Sequence, residues 1–391
     1  MKILISSFDM ELGGVERSLA SMLENFNYSQ FSVDLHLHSH TGPLMGLLSK
    51  DVNLLPELPV CKTYRLGIKD TLQQGYIVIA LKRIMSRFQA VRFSKEQNSN
   101  HSGYFQMQTI WDLCVRNTES IDSRYDVAIS YLWPHHFTAY NVTAKTKIAW
   151  IHTDYSTIAL DVKSDLAIWH KFDYIISISD ACTEAFLKIH PSLHTKIVLV
   201  ENITSPDFVK TMAVKPIEHK FTKNTFNLVS VGRLCEAKAF DRAVEALSLV
   251  HKKGYTNIKW YIVGDGGDQK KIETLINGYD LQKSFILLGS TTNPYPYMNA
   301  ADLYVQPSRY EGKAVTIAEA QILAKPILIT NYATSASQIN NGVDGIICEQ
   351  SAQSIANNII SLYNDPDEAC SLSDYCNSVD YSNTYELDKL Y

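Results

Sequence analysis

No stretch of this 391-residue sequence holds the roughly twenty consecutive apolar residues that a membrane-crossing helix needs. The seven cysteines, Cys61, Cys114, Cys182, Cys235, Cys348, Cys370 and Cys376, are odd in number and widely scattered. They contain no CxxC pair, which argues against a zinc or dithiol centre and reads as buried thiols in a reducing compartment. Positive charge is not in excess: the formal net charge is -5, which speaks against a general nucleic-acid binder. The opening residues MKILISSFDMELGG have an apolar run too short for a signal h-region, with Asp9 and Glu11 directly behind it. The expectation is a cytoplasmic protein, and the sequons at Asn141 and Asn202 are then chance matches.

What the sequence does have is an ordinary globular composition, 46% hydrophobic and 20% charged, in a chain too long for one core. Short apolar runs alternate with helical patterns. Lys2 to Ser7 is followed by Gly13-Gly14 and an apolar helical stripe from Val15 to Leu23. Similar runs recur at Phe31 to His38, Asp126 to Tyr131, Lys147 to His152, Tyr174 to Ser179 and Lys196 to Val200, as expected of an open, mostly parallel sheet. The pattern lapses between Thr204 and Thr225, where Pro206 and Pro216 fall, and restarts at Asn227. A second alternation follows, with strands expected at 227–231, 258–263, 285–288, 303–306, 327–330 and 345–348. The resulting division is an N-terminal domain over 1–204, a linker over 205–225, a C-terminal domain over 226–370, and a final segment over 371–391 returning toward the first domain.

Polar residues gather where the second set of strands ends. Glu311 and Glu319 are eight residues apart; on one continuous helix that is about 12 Å along the axis, too far to share a proton and suited to two hydroxyl groups of one elongated ligand. The backbone N–H groups of Gly312, Lys313, Ala314 and Val315 are expected at a helix N-terminus, where the dipole favours a phosphate. Arg233 and Lys238 follow the first strand of the second half and are placed to clamp a diphosphate. Gly264-Asp265-Gly266 follows the next strand.

These segments resemble glycosyltransferase family 4 of the GT-B fold, over most of the chain and most closely from Leu228 to Glu349. The resemblance implies an α/β GT-B architecture, two Rossmann-like doubly wound domains facing each other across a cleft. It implies a retaining glycosyltransferase, with Glu311 on hydroxyls of the transferred sugar, Glu319 on the ribose, and Arg233 and Lys238 on the diphosphate. Gly13 and Gly14 look like the family's N-terminal glycine loop, and His152 occupies the position of a histidine beside the sugar. Ala239 departs from the family wording, which has glycine there, as does Lys313 from a usual apolar residue. Bacterial capsule, exopolysaccharide or O-antigen assembly is the subgroup that the wording around Glu311 and Thr330 resembles. The partners it implies are a nucleotide-sugar donor, UDP-linked by expectation, and a saccharide or lipid-linked saccharide acceptor.

No DxD-like motif stands at a convincing strand end, so no cofactor or metal is expected and metal-independent transfer is anticipated. His36, His38 and His40 alternate as metal ligands on a strand do, but no carboxylate or cysteine companion accompanies them. Between residues 62 and 95, Lys62, Arg65, Lys69, Lys82, Arg83, Arg87, Arg92 and Lys95 face the single acid Asp70, a net of +7 interleaved with apolar residues. That reads either as a basic amphipathic helix lying on the inner face of an anionic membrane or as a solvated helix face. Rival functions are a sugar-nucleotide epimerase, a catalytically silent subunit, and, less favoured, a nicotinamide dehydrogenase, because Gly264-Asp265-Gly266 lacks the third glycine of the dinucleotide fingerprint.

Overall fold

The computed structural model describes residues 1–64, 66–97, 103–217 and 219–390. The chain forms two compact units, one of Met1–Glu201 joined by the described residues from Glu386 on, the other of Asn202–Tyr385. Among the described residues, thirteen strands make two sheets. The first unit holds β1 (Lys2–Ser7), β2 (Ser32–Leu37), β3 (Asn53–Leu54), β4 (Ile121–Ser130), β5 (Val142–Ile151), β6 (Tyr174–Ser177) and β7 (Ile197–Leu199), in the order β3-β2-β1-β4-β5-β6-β7. The second holds β8 (Phe226–Val231), β9 (Ile258–Val263), β10 (Phe285–Gly289), β11 (Leu303–Gln306), β12 (Ile327–Thr330) and β13 (Ile346–Cys348), in the order β10-β9-β8-β11-β12-β13. Every pairing between these strands is parallel. Each order reverses once, between β1 and β4 and between β8 and β11. Such switch points open a crevice at the carboxyl ends of the strands, where doubly wound sheets take ligands.

The second unit shows why its strands read as unbroken apolar runs. Along β8, Leu228 packs with Trp260, Val305 and Leu328 under the helices Phe240–Lys252 and Ala352–Asn364. Its neighbours Val229 and Val231 pack on the opposite face, with Tyr261, Tyr304 and Ile329, under the helices Tyr295–Ala300 and Val315–Ile322. Successive strand residues point to opposite faces, and both faces are covered, so both must be apolar.

Two boundaries differ from expectation. Residues 205–225 are not a bare linker: Pro206–Ala213 is a helix, capped by Ser205 Oγ accepting from the Phe208 N–H at 3.3 Å, and its Val209 and Ala213 lie in the second unit's core. Pro206 here begins a helix rather than breaking one, because the first helical position needs no N–H donor. The chain divides earlier, between Glu201 and Asn202. At the other end, the helix Pro366–Ser378 belongs to the second unit, with Leu372 in its core. The return to the first unit is made only from Glu386, whose Oε2 accepts from the Glu201 N–H at 3.0 Å.

The basic stretch 62–95 is likewise not one helix. It spans Pro59–Thr63, Ile68–Gln73 and the long helix Ile77–Gln97, with Gly75 supplying a positive φ of 85° at the last turn. Arg65 lies outside the described residues.

Candidate active site

The two loops that leave β8 and β11 flank the second unit's switch point. They bring Lys238 and Glu311 together at 2.5 Å between Nζ and Oε1, with side chains only 18% and 12% exposed. The same Oε1 accepts from Gln306 Nε2 at 2.9 Å and from Ser308 Oγ at 2.6 Å. Gln306 is held in turn by the Tyr304 hydroxyl, which donates to its Oε1 at 2.7 Å. Burying a carboxylate is costly unless donors surround it, and three donors on one oxygen meet that cost. Oε2 accepts from no described residue.

Arg233 stands on the same loop as Lys238. Its side chain is exposed and makes no hydrogen bond or ion pair with a described residue, so the guanidinium is available for an anion. Glycines shape this loop. A Cβ on Gly264 would lie 2.0 Å from the Gly232 carbonyl oxygen, and one on Gly266 would lie 2.4 Å from that of Leu234, so the β9 loop can pack against the Arg233 loop only with glycine at both positions. The Lys238 stem lies across Gly232, where a Cβ would come within 3.0 Å of its Cε. Ala239, where family wording has glycine, does adopt the glycine conformation, φ 54° and ψ 38°, and is fully buried.

Glu319 lies within the helix Val315–Ile322, but Glu311 lies four residues before that helix starts. The helical spacing of about 12 Å expected between them therefore does not apply. Glu319 is 1% exposed, and its Oε1 accepts from the Tyr295 hydroxyl at 2.8 Å. At the start of that helix, the Ala314 N–H already donates to Gln338 Oε1 at 3.1 Å, and Gln338 Nε2 donates back to the Ala314 carbonyl at 2.9 Å. The anion seat expected from Gly312 to Val315 is thus narrowed to Gly312, Lys313 and Val315.

In the first unit, Gly13 caps the helix Gly14–Glu24 in extended backbone, a conformation that any residue adopts. The space beside it is filled: a Cβ on Gly13 would lie 2.0 Å from Glu16 Oε2. Glu16 is the third helical residue, the position from which a glutamate reaches back over the cap. Its carboxylate therefore stands where a phosphate was expected.

His152 follows β5 directly. Its ring lies against Tyr131, with centroids 4.6 Å apart, and stacks parallel to Trp150. Burial pulls its pKa down to about 3 against the opposing effect of a hydrogen bond with the Tyr131 backbone, so it is neutral at ordinary pH. Although His152 as a whole is half-buried, its Nε2 is sequestered without a partner among the described residues. His36 and His38 are buried against Phe137 and each other, and no group of three potential metal ligands exists among the described residues. His36 and His38 are core side chains, and His40 is half-buried beyond the end of β2.

Gln306, Ser308, Arg309, Gln338, Tyr295 and Glu16 were not foreseen as parts of the site. Ser308 lies three residues before Glu311, and that nearness in sequence is a signal that could have found it. The others act across separations of tens of residues or through a side-chain direction that sequence does not print.

Two parallel α/β units with this topology define a GT-B protein, and comparison with known proteins agrees. The structure of the Anabaena HepE protein in complex with UDP-glucose aligns with all of this chain and 99% of its own, at a TM-score of 0.69 and 16% identity. Residues 214–378, within the second unit, match the family model of glycosyl transferases group 1. Among curated relatives, an uncharacterised glycosyltransferase of Methanocaldococcus jannaschii is 29% identical over 175 residues, 44% of this chain and 43% of that protein. The capsular polysaccharide biosynthesis glycosyltransferase CapM of Staphylococcus aureus is 27% identical over 149 residues, 38% and 39% of the two chains. The matched part thus spans less than half the length of these relatives.

Proposed function

We propose that this protein is a retaining glycosyltransferase that moves a hexosyl or N-acetylhexosaminyl unit from a UDP-sugar to a lipid-linked saccharide during surface polysaccharide synthesis. The observation that carries the reading is the charge arrangement at the β8/β11 switch point. Glu311 Oε1 is saturated by Lys238, Gln306 and Ser308 while Oε2 has no donor among the described residues, and Arg233, with no partner among them either, stands on the adjoining loop. A carboxylate oxygen fits a sugar hydroxyl, and two cations fit a diphosphate. The group 1 match, a capsular relative and a fold neighbour crystallised with UDP-glucose support the class and the donor.

In the proposed step, the bond between the anomeric carbon and the diphosphate oxygen breaks, and its electron pair stays on the diphosphate. Arg233 and Lys238 stabilise that charge as it develops. The acceptor oxygen bonds to the anomeric carbon on the face just vacated, and its proton passes to the departing phosphate oxygen. Glu311 orients the sugar. His152, neutral and with its Nε2 sequestered, is assigned a place beside the sugar that brings no charge. Glu319, already held by Tyr295, is assigned to the ribose. Because the cations can balance the diphosphate, transfer is proposed to be metal-independent; loss of activity in excess EDTA would contradict this.

A membrane partner is proposed from the helix Ile77–Gln97. Ile79, Ala80, Ser86 and Ala90 face inward, while Ile77, Val78, Leu81, Met85, Phe88 and Val91 are exposed, Phe88 at 73%. These six fall on about 140° of the opposite helix face. Fewer cations serve that face than the sequence count implied: Lys82 donates to the Leu113 carbonyl and Asn117, and Arg83 to the Thr63 carbonyl and Thr71. Arg87 and Lys95 flank the stripe. No helix among the described residues is long and apolar enough to cross a membrane, so the contact would be peripheral, on the cytoplasmic face. Co-sedimentation with phosphatidylglycerol vesicles, lost in Leu81→Asp/Phe88→Asp, is the expected result.

The test of the chemistry is incubation with radiolabelled UDP-sugars and a polyprenyl-linked acceptor pool. Glu311→Gln is expected to lower kcat by about 10²- to 10³-fold. Unchanged transfer by that variant sinks the assignment. Absence of UDP release by the wild type with any acceptor favours a silent binding subunit, a reading with which the Glu16 carboxylate over Gly13 is also compatible.

A further inference from the structure

Arg309 lies between Ser308 and Glu311 but points away from both, toward the other loop. Its backbone N–H donates to the Ala237 carbonyl at 2.7 Å. Its guanidinium makes a two-pronged contact with Asp241, Nη1 to Oδ1 at 3.0 Å and Nη2 to Oδ2 at 2.9 Å, and Nη1 also donates to the Glu236 carbonyl at 2.8 Å. Asp241, in the first turn of the helix Phe240–Lys252, also accepts from Lys271 at 2.8 Å. Burial alone would raise the Asp241 pKa, but Arg309 and Lys271 donating to it hold it well below the usual carboxylate range. The charge pair is therefore intact wherever the protein is folded and near neutral pH.

We propose that Arg309 is a positioning residue: with Asp241 it fastens the Gly232–Ala239 loop to the Pro307–Ala314 loop and so sets where Lys238 stands relative to Glu311. This rests on the glycosyltransferase reading and names a determinant of it that touches neither donor nor acceptor. The geometry favours positioning over general stability for two reasons. All four bonds that Arg309 donates end on residues 236, 237 and 241, on either side of Lys238, and none of these reaches the sheet; its carbonyl accepts from Gln350 Nε2 at 2.9 Å. The fastened loop also carries Ala239 in the left-handed region, a conformation that alanine disfavours and leaves when free to do so. With the clamp removed, Ala239 relaxes and takes its neighbour Lys238 with it. A paired, bidentate arginine resists this better than a lysine would.

The test uses the full chain as Arg309→Ala, Arg309→Lys, Asp241→Asn and Arg309→Ala/Ala239→Gly. Hydrogen exchange is measured without ligand, and steady-state kinetics with whichever UDP-sugar the wild type accepts. Arg309→Ala is expected to speed exchange across 232–241 while leaving β8 and β9 protected, and to lower kcat about 10- to 100-fold with donor KM changed less than about threefold. Arg309→Lys and Asp241→Asn fall between that variant and the wild type. Adding Ala239→Gly to Arg309→Ala recovers several-fold of kcat, because glycine keeps the left-handed conformation unaided. An unchanged kcat in Arg309→Ala, a loss confined to KM, or exchange raised evenly over the whole second unit would overturn the proposal. If the wild type turns over no nucleotide sugar, the functional reading fails, and local against even exchange still decides whether the clamp exists.

Discussion

Acidification tests the buried histidines of the first unit. His36 is fully buried, its Nδ1 lies 3.2 Å from Ser6 Oγ, and its ring stacks on Phe137 at 4.4 Å. Burial first, and the nearby His40 second, pull its pKa from 6.5 to about 3. The sign follows from linkage. Between pH 6.5 and about 3 the unfolded chain binds a proton that the folded chain refuses, so stability is fully present above 6.5 and falls as pH drops through that window. At pH 5 the unfolded histidine is about 1.5 pH units below its own pKa, which amounts to about 2 kcal/mol lost per such group. His152, with the same direction and a value also about 3, adds up to as much again. Against a usual domain stability of about 5 to 15 kcal/mol, a combined loss of up to about 4 is large.

Four of the five tryptophans, Trp111, Trp133, Trp150 and Trp169, lie in the first unit, so tryptophan fluorescence during urea unfolding reports mainly on it. Unfolding free energy is expected to fall by about 2 to 4 kcal/mol between pH 7 and pH 5, and His36→Gln should remove about 2 of that difference even if it lowers stability at both pH values. The ring carbon resonances of His36 should also stay at their neutral positions down to pH 5. A His36→Gln variant that retains the full wild-type pH slope, or a His36 resonance that titrates near 6.5, refutes the reasoning.

Asp165 is 1% exposed and accepts from Trp133 Nε1, Trp169 Nε1, the Tyr155 hydroxyl and His190 Nε2, at 2.9, 2.9, 3.2 and 2.8 Å. Asp165→Asn turns one acceptor oxygen into a donor that faces other donors, and should cost about 3 to 5 kcal/mol in chemical denaturation; a loss below about 1 would mean the donors find other partners. Glu16→Gln removes the negative charge over Gly13 and should tighten UDP binding about two- to fivefold in low-salt calorimetry if the glycine pair is a phosphate seat. An unchanged affinity removes Gly13 and Gly14 from the donor site.

The strands were legible because parallel strands covered on both faces must be apolar at every position, and turns interrupt them; β1 and β9 fall where the pattern put them. The short edge strand Asn53–Leu54 was not, since two residues carry no period. Pro206 misled because proline both breaks helices and starts them, and which it does depends on what the following turn packs against. At the site, Glu311, Arg233 and Lys238 were legible as residue types at strand ends. Their mutual arrangement was not: Glu311 was placed on a helix that begins only at Val315, and the partner that fixes it, Gln306, reads in sequence as one polar residue closing a strand.

That arrangement bears on why a costly polar cluster is kept at the switch point. A half-buried carboxylate paired symmetrically, with donors on both oxygens, would have nothing left to offer a ligand. A carboxylate with no donors would repel a diphosphate and lean toward protonation as it was desolvated. Loading Lys238, Gln306 and Ser308 onto Oε1 alone avoids both outcomes. It neutralises much of the charge locally and leaves Oε2 without a donor among the described residues. On the proposed reading, Lys238 would have two competing partners once a diphosphate arrived, and any phosphate contact it made would weaken its hold on Oε1 and raise the basicity of Glu311 toward a sugar hydroxyl.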